Sequence, residues 1–112
     1  MPRGNKKLYT ETDEKKVRGI GRRVRIIREM KGLTLEEFGK RLGCSKQFIS
    51  AFESKNTISI GTMVAVCRVL EITPNTLLGY DTELEELLAK IDEAKEKFFK
   101  NVFWDDAGGK NE

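Results

Sequence analysis

Apolar residues recur three and four positions apart along most of this chain, the spacing of one face of an α-helix. From Val17 onward Ile20, Val24, Ile27 and Met30 form one such stripe, Arg22, Arg23, Arg25 and Arg28 fill the positions around it, and Gly32 stops the helix. Thr34-Leu35-Glu36-Glu37 has the form of a capping box: a threonine hydroxyl accepts from the amide three residues on while the glutamate reaches back. A second helix starts there, presents Leu35, Phe38 and Leu42, and ends at Gly43, a residue suited to the left-handed exit of a sharp turn. Ser45 caps a third helix that contains Phe48, Ile49 and Phe52, and Ser59 a fourth that carries Ile60, Met63, Val64, Cys67 and Leu70. Thr73-Pro74 opens a fifth, with proline at the first helical position, where its missing amide costs nothing, and Leu77, Leu78 and Gly79 complete it. A further capping box, Thr82-Glu83-Leu84-Glu85, leads a long amphipathic helix with Leu84, Leu87, Leu88, Ile91, Ala94, Phe98 and Val102. No stretch alternates with period two, so the expected class is all-α, without a sheet.

At 112 residues there is room for one small domain with an added element, not for a large enzyme core. Residues 1–16 hold Pro2, Gly4 and many charges and read as a basic, flexible arm; residues 105–112, polar and with Gly108-Gly109, read as a disordered tail. No run approaches the roughly 18 apolar residues of a membrane span. Met1 to Lys7 is not continued by the apolar stretch of a secretory signal, so a soluble, cytoplasmic protein is expected. Cys44 and Cys67 are too few and too isolated for a metal cluster, and there is no histidine to complete one or to act as a general base. The two thiols read as core residues. No enzyme activity, metal or cofactor is expected.

Charge is divided unevenly. Residues 1–80 carry 16 Lys/Arg against 8 Asp/Glu, and residues 81–112 carry 5 against 10. A basic body suits a polyanion, whose phosphates supply affinity through counterion release.

The second and third helices sharpen that suggestion. A short helix, a glycine turn and another short helix form a helix-turn-helix, in which one helix braces across the DNA backbone while the next enters the major groove. Gly39 is small where the two helices approach, Gly43 sits at the turn, and Ile49 anchors the second helix: three steric demands of one motif.

Over Ile20 to Tyr80 the sequence resembles the Xre/Cro family of phage and bacterial repressors. Arg28 and Glu53 match a pair that bridges two helices in that family, and Thr73-Pro74-Asn75-Thr76-Leu77-Leu78-Gly79 resembles its closing helix. The resemblance implies a five-helix, lambda-repressor-like DNA-binding domain over residues 17–80, and the apolar pattern adds the C-terminal helix of residues 81–104. It implies a sequence-specific transcriptional regulator, a repressor that binds double-stranded DNA; joined in pairs through the C-terminal helix, two copies would read an inverted-repeat operator. Two positions depart from the family. Leu35 stands where many members carry a glutamine that contacts phosphate, and Ser54-Lys55-Asn56 replaces the usual ending of the recognition helix, leaving Asn56 to supply the left-handed residue.

With the third helix in the groove, Ser45, Lys46, Gln47 and Ala51 are the expected base readers: Gln47 matches adenine, Lys46 donates to guanine, and Ala51 meets a thymine methyl. Ser50 is expected on phosphate, with Arg22, Arg23, Lys40, Arg41, Lys55, Asn56, Thr57 and Ser59. Phe48 has two placements in such a family, against the core edge or against the sugar-phosphate chain. The C-terminal helix also has two, folding back on the body or joining a second chain. A homodimer is favoured, because the five-helix body closes its core without it. The alternative function is an antitoxin or regulatory subunit whose C-terminal helix binds a partner protein. The Phe98, Phe99, Phe103 and Trp104 cluster is expected in buried packing.

Overall fold

Side-chain oxygens set where helices begin. Thr10, Thr34, Ser45 and Ser59 each hold extended backbone and accept a hydrogen bond from the amide three residues ahead, at Asp13, Glu37, Phe48 and Thr62. Such a cap stabilises a helix by about 1 kcal/mol. At Thr10 and Thr34 the third residue is acidic and returns the bond, closing capping boxes. The resulting elements in the computed structural model, which describes residues 8–55 and 58–102, are α1 Glu11–Arg18, α2 Ile20–Met30, α3 Leu35–Leu42, α4 Lys46–Ser54, α5 Ile60–Leu70, α6 Pro74–Leu77 and α7 Thr82–Phe99. The described residues are all-α, with no strand among them. No helix among them is long and apolar enough to cross a membrane.

Helix ends follow the glycines foreseen in the sequence: Gly32, Gly43 and Gly79 all have positive φ. After α2 the Leu33 amide donates back to the Arg28 carbonyl, and after α6 the Tyr80 amide donates to Asn75. The α5 end differs, because Glu71 takes the left-handed conformation itself, at φ 59.

The chain divides into two compact units, residues 1–81 and 82–112. In the first, Val24 of α2, Phe38 of α3, Ile49 of α4, Val66 and Leu70 of α5 and Leu77 of α6 are fully buried. Cys67 is buried and Cys44 half-buried; both are free thiols, and burial pushes both above the usual thiol range. Not every stripe residue reaches the core. Met30, Ile60 and Val64 are exposed, whereas Val66, which the sequence pattern passed over, is sealed. Ile60 and Val64 lie one turn apart on the outer side of α5, and Val66, Cys67 and Leu70 occupy its inner side.

The arm expected over residues 1–16 is corrected in its second half: residues 11–16 are helical, in α1, and Gly19 separates them from α2. The Thr10/Asp13 box nucleates α1, and two basic side chains tie it down. Arg23 Nη1 donates to the Lys16 carbonyl at 2.7 Å and to the Leu77 carbonyl at 2.9 Å. Lys16 Nζ donates to the Gly79 carbonyl at 3.0 Å and stands 4.3 Å from the Tyr80 ring centroid, a cation–π distance.

The second unit contains α7, an acidic amphipathic helix of 18 residues. Phe98 and Phe99, expected in buried packing, are exposed. Phe103, Trp104 and the tail expected to be disordered lie outside the described residues.

Candidate nucleic-acid interface

Helices α3 and α4 are joined by three residues, Gly43, Cys44 and Ser45. Gly43 reverses the chain at φ 79, where an L side chain is strained. A Cβ on Gly39 would lie 2.7 Å from the Cys44 carbonyl oxygen, closer than real Cβ atoms approach backbone, so only glycine lets α3 meet the turn. Ile49, fully buried, anchors α4 from below. The three positions marked in the sequence perform the three steric tasks assigned to them.

An ion pair sets the rotation of α4 against α2. Arg28 Nε and Nη2 donate to the Glu53 carboxylate at 2.7 and 3.2 Å, and Nη1 donates to the Leu33 carbonyl at 2.7 Å. Both side chains are nearly sealed, 8% and 6% exposed. A bidentate fork of this kind fixes orientation as well as distance. The bridge implied by the family resemblance is therefore present between these two residues.

With Ile49, Phe52 and Glu53 turned inward, about 100° per residue along a helix places Gln47, Ala51 and Ser54 on the opposite, outermost line. Lys46 and Ser50 form one flank of that line, and Phe48 and Lys55 the other. All these outer and flanking residues are exposed. On the first flank Ser50 lines a polar groove together with Arg25, Glu29, Leu35 and Ser54. The other opens on an apolar groove of about 640 Å³ closed by Ile58 and Thr62. The recognition surface thus has a hydrogen-bonding edge and an apolar edge.

The site residues expected from sequence divide as follows. Gln47 and Ala51 share the outermost line of α4, with Lys46 and Ser50 exposed on one flank and Lys55 on the other. Ser45 is exposed at the head of the same helix, with its hydroxyl oxygen accepting from the Phe48 amide at 3.1 Å. Lys40 and Arg41 are exposed on the last turn of α3, and Ser59 caps α5 by accepting from Thr62. Arg22 is half-buried, and Asn56 and Thr57 lie outside the described residues. Arg23 is a correction. It is 4% exposed, and its guanidinium is spent on the carbonyls that join α1 and α6, so it is a structural residue rather than a phosphate ligand. Sequence reading passed over Arg25, an exposed cation on the polar groove that pairs with Glu29 at 3.3 Å. Its position one turn before Arg28 was the available signal.

Residues 24–77 match the model of a protein family described as helix-turn-helix. The span begins within α2 and ends with α6, so the match covers the motif and the helices that carry it. Searches of curated proteins and of solved structures returned no match. The geometry of α3 and α4 together with this match defines a helix-turn-helix DNA-binding domain.

Proposed function

We propose that the protein is a transcriptional regulator of the Xre/Cro kind, a repressor with a lambda-repressor-like five-helix body that reads an inverted-repeat operator as a dimer. One observation carries this reading: the glycine turn and the Arg28–Glu53 fork hold α4 so that Gln47 and Ala51 face outward with Lys46 exposed on their flank. Gln47 offers the paired donor and acceptor that fit adenine, Lys46 donates to guanine, and Ala51 meets a thymine methyl. Lys40, Arg41, Ser50, Lys55 and Ser59 surround that face and suit phosphate.

Selection of binding sites from random duplex DNA tests the proposal directly. An inverted repeat with half-sites about one helical turn apart is the expected product. On that duplex Gln47→Ala should relax preference at one position and cost about 1 to 3 kcal/mol. Equal losses on selected and random DNA would refute the base-reading role.

The exposed Phe98 and Phe99 on an acidic helix favour assembly through α7, with a second copy or with a partner protein as in an antitoxin. Sedimentation of the full chain decides between these: a dimer at micromolar concentration supports the repressor, and a monomer supports a separate partner.

A further inference from the structure

The apolar flank of α4 has no assigned task. Phe48 leaves 48% of its surface open, an unusual position for a phenylalanine three residues into a helix that buries Ile49 and Phe52. Its ring is held in place, stacked on Phe52 with centroids 6.4 Å apart and planes 26° apart. Ala51, on the adjoining outer line, borders the flank one turn on, Lys55 ends it, and Ile58, Ser59 and Thr62 close the shallow groove opposite. The floor formed by Phe48, Ala51, Phe52 and Ile58 can bury an apolar group, and the polar Lys55, Ser59 and Thr62 stand at its margin. Two features say what kind of molecule brings that group: lysines stand at both ends of α4, at 46 and 55, and the exposed Gln47 lies on the adjoining outer line.

In the major groove the one apolar group presented by a base edge is the methyl on carbon 5 of a pyrimidine. That methyl lies at the side of the groove, next to the sugar-phosphate chain of its own strand. A helix lying in the groove meets it along a flank, and a cation ending that flank meets the adjoining phosphate. We infer that Phe48, with Ala51, reads the 5-methyl group of a pyrimidine, thymine or 5-methylcytosine, in each half-site. The inference rests on the DNA-reading function proposed above and adds to it a specificity-determining residue. Gln47 reads polar base edges, and Phe48 reads methylation of the pyrimidine ring.

The test uses the duplex selected by the full-length protein. Each thymine is replaced in turn by deoxyuridine, which removes the methyl and nothing else. At one or two positions per half-site this should weaken binding by about three- to fivefold, the effect of one buried methyl. A cytosine placed there should recover about the same factor when it is 5-methylated, which separates the two methyl sources. Phe48→Ala, confirmed folded by its melting curve, should lose most of the difference between the thymine and deoxyuridine duplexes while keeping the wild-type salt dependence. If that variant does not fold, Phe48→Leu serves, and its methyl factor should be smaller than that of the parent. A selected duplex indifferent to deoxyuridine at every position overturns the inference and leaves the proposed function standing. So does a methyl factor unchanged in the Phe48 variants, which would assign the contact to Ala51 alone. Failure to select any duplex overturns both.

Discussion

Cutting one side of the Arg28–Glu53 fork should cost more than any other single polar change in the first unit. Glu53→Ala removes two charge-assisted bonds of 2.7 and 3.2 Å and leaves a guanidinium that is 8% exposed. Some relief remains. Arg28 keeps the Leu33 carbonyl at 2.7 Å, and the half-exposed Glu29 carboxylate lies 3.8 Å from Nη2. Charge-assisted hydrogen bonds contribute about 1.5 to 3 kcal/mol each, and breaking a buried pair by removing one partner costs about 3 to 5 kcal/mol. Glu53→Ala belongs at the lower end of that range because of the relief from Glu29. Arg28→Ala belongs at the upper end, since it strands the Glu53 carboxylate and deprives the Leu33 carbonyl of its donor as well. For a body of this size each kcal/mol lowers the melting temperature by about 4 to 8 °C, so losses of at least about 12 °C are expected from either change. Replacing both residues together, with Met at 28 and Leu at 53, removes the charges along with the bonds. The double variant should melt close to the parent or above it, because desolvation of the pair offsets most of its attraction. The assay is thermal unfolding followed by circular dichroism, for the parent, both single variants and the double variant. A single variant that melts within about 2 °C of the parent would show that the pair is solvated and refute the reasoning.

Arg23→Ala should lower the melting temperature, at about 1 to 3 kcal/mol for the buried Leu77 carbonyl that loses its guanidinium donor, and leave DNA affinity per folded molecule unchanged. Weaker binding with unaltered melting would return Arg23 to the phosphate contacts. Gly39→Ala should destabilise by about 1 to 3 kcal/mol, because its Cβ must displace the Cys44 carbonyl. Gly61→Ala, with nothing near the added methyl, is the matched control and should stabilise by up to about 1 kcal/mol. Bonds from the Thr34 amide and hydroxyl site hold the Glu37 carboxyl below its ordinary value of 4.5. A carboxyl depressed on folding contributes stability above its unfolded value and loses it as pH falls through the folded one. The parent should therefore lose melting temperature relative to Glu37→Gln as pH drops from about 5 to below 4, and parallel curves over that range would refute the coupling.

Features that depend on a few neighbouring residues were legible before any folding was known. A serine or threonine oxygen reaches an amide three positions ahead wherever the chain turns helical, so the caps at Thr34, Ser45 and Ser59 were legible. Gly32, Gly43 and Gly79 mark helix ends because left-handed backbone is a local property. The steric set of Gly39, Gly43 and Ile49 was legible for the same reason, and with it the helix-turn-helix and the exposed face of α4. The Arg28–Glu53 pair came from family resemblance, since nothing in its spacing shows that residues 25 positions apart meet. Tertiary structure decided the features set by what arrives from far along the chain. Arg22 and Arg23 are chemically alike in sequence, yet Arg23 is buried because the Leu77 carbonyl, 54 residues away, meets its guanidinium. Val66 rather than Val64 is sealed, and Phe48 stands half out of the core, because a helical stripe fixes a face while its partners fix which edge of that face is covered. Helix α1 lacks a continuous apolar stripe and was read as an arm; its Thr10 cap and the ties from Arg23 and Lys16 to distant carbonyls hold it as a helix.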